Sequence, residues 1–465
     1  MKPEHFDFGG GASGTILHPA VAVAMVISIL LILTLPRRQV IVPFLLIAFL
    51  SPLGQQLYIG GMHWLVLRIV ILAGCARLLL EKSKGAGKLF PNGLNGIDRA
   101  FVVWAFYRGL APILLFHTSG VVPLQMAFWL QAFGGYFLLR YLIQDVDDIA
   151  RAAKTFALLT MILGACMANE RIHEMNIFGY LGGIPIAPLV RDGLIRSRAC
   201  FGHPILAGCF GATLVPLFYW LWKSGKSKGL VVAGMLGSSM MVFFSASSTP
   251  ALACAGGIGA LFLWPIRGSM RLVRWGIVLT LVGLQLVMKA PVWFIIGHVN
   301  VTGASDASGR AHLIDTFIRH FKDWWLVGTN QTGNWGWSMW DLCNGFVQEG
   351  ETGGLVALIA FIAVISRSFG RLGKMRRQVE GDKKQEWLYW SLCAVMFAHV
   401  LAYFGVSYFD QTEMWWFAFL AMVSAATATY AGTIVHPAQE NELEFAGAPA
   451  EASFSLTSGE SGSEW

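Results

Sequence analysis

The chain has 465 residues, 55% of them hydrophobic and only 13% charged, with a mean hydropathy of +0.58. An average soluble domain carries roughly 25% charged residues, so lipid must be the solvent for most of this chain, and an ordinary water-soluble enzyme is excluded. The net charge of +7 does not imply nucleic acid, because the basic residues sit in short clusters between apolar runs, where the positive-inside rule puts them.

Apolar runs occur near 15–35, 39–56, 58–80, 97–118, 120–142, 152–168, 203–222, 229–248, 250–266, 272–290, 345–366, 387–408 and 412–433. About 20 apolar residues cross a hydrocarbon core of roughly 30 Å as a helix. The thirteen runs therefore predict an all-α, polytopic membrane bundle of about 12–13 transmembrane helices. The first run, about Thr15 to Pro36, follows only Lys2 and reads as a retained helix, not a cleaved signal. One orientation satisfies the charge bias: Arg37 and Arg38, Arg77 to Lys88, Arg140 to Lys154, Lys223 to Lys228, Arg267 to Arg274 and Arg367 to Lys384 fall on one side, the cytoplasm. The N-terminus is then outside and the C-terminus inside, with two long external segments at about 169–201 and 291–343. Residues 1–435 form one membrane domain, and the tail 436–465, with six glutamates and no Lys or Arg, is expected to be disordered in the cytoplasm. Seven cysteines without CxxC spacing, most of them in apolar runs, give no disulfide or zinc framework.

Arg68 and Arg108 fall within spans, where each needs a partner or a cavity. The first external segment carries Arg171, Arg191, Arg196 and Arg198 against the charge bias. Two readings are open. A guanidinium fork binds phosphate oxygens in pairs, so the cluster suits a lipid-linked phosphate or diphosphate; alternatively the arginines pair with Glu170, Glu174 and Asp192 or with lipid headgroups. Further along, "SASSTPALACAGG" opens a span with Ser245, Ser247, Ser248 and Pro250, which predicts a polar cleft near the outer end of that helix.

The second external segment contains "ASGRAHLIDTFIRHFKDWWLVG", in which Leu313, Ile314, Phe317, Ile318 and Phe321 recur at helical spacing. This predicts an amphipathic helix on the membrane surface with Trp324 and Trp325 as interfacial anchors. Arg310, at its start, could reach a headgroup phosphate. The stretch "TNQTGNWGWSMWDLCNG" follows, where Trp335, Trp337 and Trp340 offer either a platform for sugar faces or interfacial anchors. In "WDLCNGFVQEGETGG", Asp341, Glu349 and Glu351 stand beside Asn344 in a chain otherwise poor in charge.

Taken in order, "RACFGHPILAGCFGATLVPLFYWLW" (198–222), "SASSTPALA" (245–253), "GRAHLIDTFIRHFKDWWLVGT" (309–329) and "DLCNGFVQEGETGGLVALIAF" (341–361) resemble the O-antigen ligase and O-antigen polymerase family of bacterial envelope polysaccharide assembly. The resemblance spans about 190 to 370. It implies an inverting, GT-C-like glycosyltransferase of the bacterial inner membrane that takes a glycan from undecaprenyl diphosphate to an acceptor glycan or glycolipid hydroxyl, working with other assembly proteins and without a cofactor or metal. It assigns the donor diphosphate to Arg191, Arg196, Arg198 and Arg310; the sugar and cleft are expected at Asn344, Trp337, Trp340, His203 and Ser247. Many ligases carry a histidine before the asparagine that corresponds to Asn344; Cys343 stands there instead. A thiol of ordinary pKa near 8.5 is a poor substitute for imidazole as a base. Asp341 is therefore the expected base, with Glu351 and Glu349 as further candidates and His203 or His312 as alternatives. Polymerase, lipid A-core ligase and protein O-oligosaccharyltransferase stay open within this reading. Beyond it, the same sequence suits a lipid-linked oligosaccharide transporter or flippase, or a non-catalytic polysaccharide-assembly subunit.

Overall fold

The computed structural model describes residues 14–428 apart from 61, 86–88, 91–92, 226, 299–306, 337–338 and 340–341. The expected tail 436–465 lies outside the described residues. The chain runs through α1 (Pro19–Thr34), α2 (Arg37–Leu50), the hairpin β1 (Gln56–Ile59) and β2 (Met62–Leu65), then α3 (Val66–Ser83) and α4 (Gly96–Phe116). Next, α5 (Val121–Trp129) continues through a π-helical turn into α6 (Gly135–Leu142), followed by α7 (Val146–His173) and a second hairpin, β3 (Leu189–Arg191) and β4 (Leu194–Arg196). The second half holds α8 (Pro204–Lys223), α9 (Lys228–Phe244), α10 (Ser248–Phe262), α11 (Met270–Val287), α12 (Ala307–Arg319), α13 (Phe321–Trp324), α14 (Gly345–Gln378), α15 (Lys383–Tyr403) and α16 (Asp410–Ala428).

Among the described residues, six helices are long and apolar enough to cross a membrane: Gly96–Phe116, Val121–Leu142, Val146–His173, Pro204–Lys223, Trp264–Val287 and Gly345–Gln378. Three more, Pro19–Thr34, Lys228–Phe244 and Ser248–Phe262, are apolar but shorter. The sequence-based expectation of a purely helical chain needs one correction: two small antiparallel hairpins are present. Part of the apolar run near 39–56 ends its helix at Leu50, and the run near 58–80 starts as strand and becomes helix only at Val66.

At the centre stands α16, which touches α2, α4, α6, α7, α8 and α14 and buries every residue except Glu413. Its apolar residues, lacking a polar face, leave no side suited to water, and the surrounding helices cover it. Where α7 meets α9, small residues let the backbones close: a Cβ on Gly164 would lie 2.6 Å from the Gly237 carbonyl oxygen. In contrast, α11 has no buried residue at all, although it belongs to a stretch long and apolar enough to cross a membrane.

The basic clusters meet one another at one end of the bundle. Arg37 pairs with Asp148 at 2.8 Å and Arg38 with Asp145 at 3.3 Å, joining the start of α2 to that of α7. Arg77 donates to the Ile32 and Leu35 carbonyls at 2.6 Å, Arg140 pairs with Asp98 at 3.0 Å, and Arg267 pairs with Glu386 at 2.8 Å.

The amphipathic helix expected in the second external segment is α12; part of its apolar pattern packs inside the protein, while Ile318 and Phe321 stay exposed. Leu313 and Phe317 pack with Trp324 and with Val347 of α14. Trp324 is buried, stacked on Phe317 at 3.9 Å, so it closes this small core and is not an interfacial anchor; Trp325 remains exposed. Further on, α14 is broken at Gly354 (φ 68°, ψ −171°), which divides a short leading segment, Gly345 to Gly353, from the long apolar part. The break accepts the preceding loop: Leu355 N–H donates to the Trp325 carbonyl at 2.9 Å and Thr329 N–H to the Glu351 carbonyl at 2.8 Å.

Candidate functional site

Opposite the basic clusters, a cavity of about 890 Å³ opens among the segment before β1, the start of α3, α4, the loops around β3 and β4, and the start of α16. Arg68, Arg108, Arg198, His203, Asp410 and Glu413 line it.

The hairpin β3–β4 carries Arg191 and Arg196 at its two ends, paired in register through Leu189 with Arg196 and Arg191 with Leu194. Its turn is Asp192 (φ 50°) and Gly193 (φ 73°), the two left-handed positions that a tight two-residue hairpin requires. Arg196 is buried. Its Nη2 donates to Ser247 Oγ at 2.5 Å and its Nε to the Ser245 carbonyl at 3.4 Å. Ser245 and Ser247 lie in the break between α9 and α10, and there the partner of these polar groups is Arg196. The backbone seals the joint: Ser197 N–H donates to the Phe244 carbonyl at 2.9 Å.

Arg198 is held differently. Glu170, at the end of α7, accepts the backbone N–H groups of Arg198 and Ala199 at 3.0 and 2.9 Å, which sets the chain here while leaving the guanidinium outside the bond. Only Nη2 of that guanidinium has a recorded partner, the Ala187 carbonyl at 3.2 Å, and its buried Nε has none among the described residues. Pairing of the arginines with Glu170 and Glu174 is therefore not what the geometry gives. Arg191 and Asp192 stand 3.7 Å apart, and both are exposed, so that contact stabilises little.

The positive charges converge. Burial, and after it the charges of Arg191 and Arg310, pull the Arg196 guanidinium down to about 10, with Cys343 acting in the opposite sense. Arg198 is lowered by burial and partly restored by Glu170. Both remain cations at neutral pH. His203, at the N-cap of α8, is pulled down to about 4 by burial and then by Arg196, Arg198 and Arg191. Its Nδ1 accepts the Ile205 N–H at 3.2 Å, so the neutral ring carries its hydrogen on Nε2. That hydrogen is a donor and makes His203 a partner for anionic oxygen more than a base. Arg191, Arg196, Arg198 and His203 thus form one cluster, which Arg310 joins from α12 through its action on Arg196.

Asp341, Trp337 and Trp340 lie outside the described residues. Cys343, two residues after Asp341, is near enough to Arg196 to influence its charge. Asn344 caps α14: its Oδ1 accepts the Phe346 and Val347 N–H groups at 2.9 and 3.1 Å, and its Nδ2 donates to the Phe404 carbonyl at 3.4 Å. An amide so engaged positions the segment. Glu349 points away from the arginine cluster and into α4, accepting the Trp104 indole N–H at 2.7 Å and lying 3.2 Å from Arg108 Nε. That approach is an ion pair without hydrogen-bond alignment, since the same Nε has no hydrogen-bond partner. Arg108 also sits 4.9 Å from the Phe128 ring centroid. Glu351 accepts the Thr352 hydroxyl at 2.8 Å, beside the break in α14.

Several cavity residues were not anticipated. Asp410 accepts the Gly202 N–H at 3.0 Å, tying the start of α16 to the turn that carries His203. Glu413 accepts the Gln131 amide at 2.9 Å. Tyr408, also on the wall, meets His399 Nδ1 at 2.9 Å. The sequence signal for Asp410 and Glu413 was present, two carboxylates at the head of an otherwise apolar run, and it is the same signal that singled out Arg68 and Arg108.

Fold and site together define a helical protein with helices of membrane-spanning length and an arginine-rich cavity at one end. Compared with known proteins, the sequence matches no family model and no curated protein.

Proposed function

We propose that this protein is an inverting glycosyltransferase of the O-antigen polymerase or ligase type. It resides in the bacterial cytoplasmic membrane through about 12–13 transmembrane helices, with the N-terminus in the periplasm and the C-terminus in the cytoplasm. It transfers a glycan from undecaprenyl diphosphate to a sugar hydroxyl of an acceptor glycan or glycolipid, in exopolysaccharide or O-antigen assembly.

The observation that carries this reading is that Arg196, Arg198 and Arg191 lie close enough to His203 to help keep its imidazole neutral, with Arg310 acting in turn on Arg196. Four guanidinium groups and an Nε2–H donor suit a diphosphate, whose negative charge grows as it departs. In the reaction the acceptor oxygen bonds to the anomeric carbon as the bond from that carbon to the diphosphate oxygen breaks. The diphosphate leaves with the electron pair, and the hydroxyl proton passes to a carboxylate. Asp341 is the base in this proposal, two residues from a thiol that acts on Arg196.

A second reading has its own support. Arg68, Arg108, Asp410 and Glu413 line the cavity between helices, as charged groups do on the path of a transporter, so a lipid-linked oligosaccharide flippase is the alternative. One experiment separates them. Purified protein in detergent, given a lipid-linked glycan and acceptor, releases undecaprenyl diphosphate if it is a transferase; a transporter in detergent leaves the donor intact.

A further inference from the structure

At the other end of the bundle, away from the arginine cluster, a second cavity of about 460 Å³ lies where the first turn of α7, the last turn of α8 and the first turn of α15 meet. Lys223, Lys383 and Lys384 line it together with Trp220, Trp387 and Tyr389, and no carboxylate is among the lining residues. Of the acids next to lining residues, Asp147 has a partner of its own, and Asp382 is turned onto its own helix, accepting the Lys384 and Gln385 N–H groups at 2.9 and 3.2 Å. Glu386 is likewise occupied, by Arg267 at 2.8 Å. Lys223 Nζ hangs within 5.7 Å of the Tyr219 and Trp387 ring centroids and 5.8 Å of that of Trp222. Trp387 is fixed in turn by stacking on Trp264 at 4.0 Å.

The geometry points to a binding site for the phosphodiester headgroup of an anionic phospholipid in the leaflet that faces the basic clusters. Three ammonium groups with no acid on the wall present net positive charge to whatever enters. Apart from Ser224 and Gln385, the rest of the wall is apolar or aromatic, with Trp220, Trp387, Leu388 and Val146 among it, and suits the glycerol and upper acyl region more than a hydrated ion. The position fits too, because Lys223 closes α8, a helix of spanning length, and so stands at headgroup depth. Phosphatidylglycerol and cardiolipin carry the required charge, whereas phosphatidylcholine presents its own trimethylammonium to the lysines. This inference is independent of the proposed transfer reaction, since none of its residues belongs to the arginine-rich cavity.

The test uses the full-length protein purified in detergent, with lipid titrated in and retention read by native mass spectrometry alongside thermal stability. Phosphatidylglycerol is expected to bind and to raise the melting temperature, while phosphatidylcholine does neither. The triple variant K223Q/K383Q/K384Q is expected to lose on the order of a hundredfold in phosphatidylglycerol affinity, with its melting temperature in phosphatidylcholine unchanged. Should that variant fail to fold, K223R/K383R/K384R, which keeps the charge, and K223Q alone serve instead: the first retains the lipid and the second weakens it. Equal phosphatidylglycerol binding by the glutamine variant and the parent overturns the site. Inorganic phosphate is the remaining arm; if it alone reproduces the stabilisation and displaces the lipid, the pocket takes a soluble anion and the lipid assignment falls.

Discussion

Arg196 Nη2 donates to Ser247 Oγ at 2.5 Å, and through that bond the hairpin β3–β4 is fastened to the break between α9 and α10. The serine spends its own hydrogen on the Ser245 carbonyl at 2.8 Å, so its oxygen is free to accept. Ser247→Ala should leave a buried guanidinium donor without a partner, at a cost of about 1–3 kcal/mol. If Arg196 also holds the donor diphosphate, Arg196→Ala should abolish product while Ser247→Ala lowers turnover about tenfold or more, the rate equivalent of 1.4 kcal/mol. Undecaprenyl diphosphate release by the two purified variants is the measurement; an Arg196→Ala protein with undiminished release removes the proposed mechanism.

His203 gives a pH signature. Its folded-state value of about 4 lies below the ordinary imidazole value of 6.5, so between those limits the unfolded chain binds a proton that the folded protein refuses. Stability therefore rises with pH across that window and falls as pH drops from 6.5 toward 4. The effect is at most about 3 kcal/mol, and less to the extent that water reaches the half-buried ring. His203→Gln should flatten this limb of the melting-temperature profile in detergent while keeping a side-chain amide donor toward the cavity. A profile of the same steepness in the variant would show that His203 is not the titrating group.

Glu349 and Arg108 make a prediction that distinguishes structure from chemistry. Removing one member of a buried pair leaves the other charge uncompensated, which typically costs about 3–5 kcal/mol. Either Glu349→Leu or Arg108→Leu alone should thus lower the melting temperature sharply, and the double variant should recover most of the loss. If transfer activity returns with stability in the double variant, Glu349 holds α14 against α4 and is not a catalytic acid. Activity that stays lost in a restored fold would return Glu349 to the list of reacting groups.

Gly354 breaks α14 at a left-handed φ of 68°, and a Cβ there would lie 2.5 Å from the Leu326 carbonyl oxygen. Gly354→Ala should cost about 1–3 kcal/mol in backbone strain alone. It should also detach the 325–329 loop, whose Trp325 carbonyl and Thr329 N–H are bonded at the break. Faster proteolysis within that loop in the variant, with the rest of the bundle intact, is the expected readout.

How much of this was legible beforehand follows from how local each cause is. The apolar runs of α4, α7, α8 and α14 are continuous in sequence, so spanning-length helices could be read directly. That Ser247 would meet a group from outside its helix was legible too, because hydroxyls beside Pro250 in an apolar run need outside partners. The hairpin β3–β4 has a local signal, Asp192-Gly193, but it stands in a segment whose arginines dominate its pattern. Trp324 was misread because an amphipathic helix shows that it has an apolar face and not what covers it; here the cover is Val347, brought back by the break in α14. Asp410 meets Gly202 across 208 positions, and no periodicity carries information over that distance.

Under the proposed transfer, Asp410 is the carboxylate to test against Asp341 as proton acceptor, and its own hydrogen bonds set what its variants should do. Asp410 already accepts the Gly202 N–H at 3.0 Å and the Thr412 N–H at 3.2 Å, bonds that a neutral amide oxygen can still make in part. Asp410→Asn should therefore keep the turn before His203 and retain activity within about tenfold, whereas Asp410→Ala frees the turn and loses about 1–3 kcal/mol of stability. Asp341→Asn keeps the shape but deletes the carboxylate, and general-base catalysis contributes about 10²–10⁴-fold, so it should reduce kcat by that factor with little change in KM. The kcat of each variant across pH settles the roles. A deep, KM-neutral loss in Asp410→Asn, with Asp341→Asn nearly unaffected, would move the base from Asp341 to Asp410 at the head of α16.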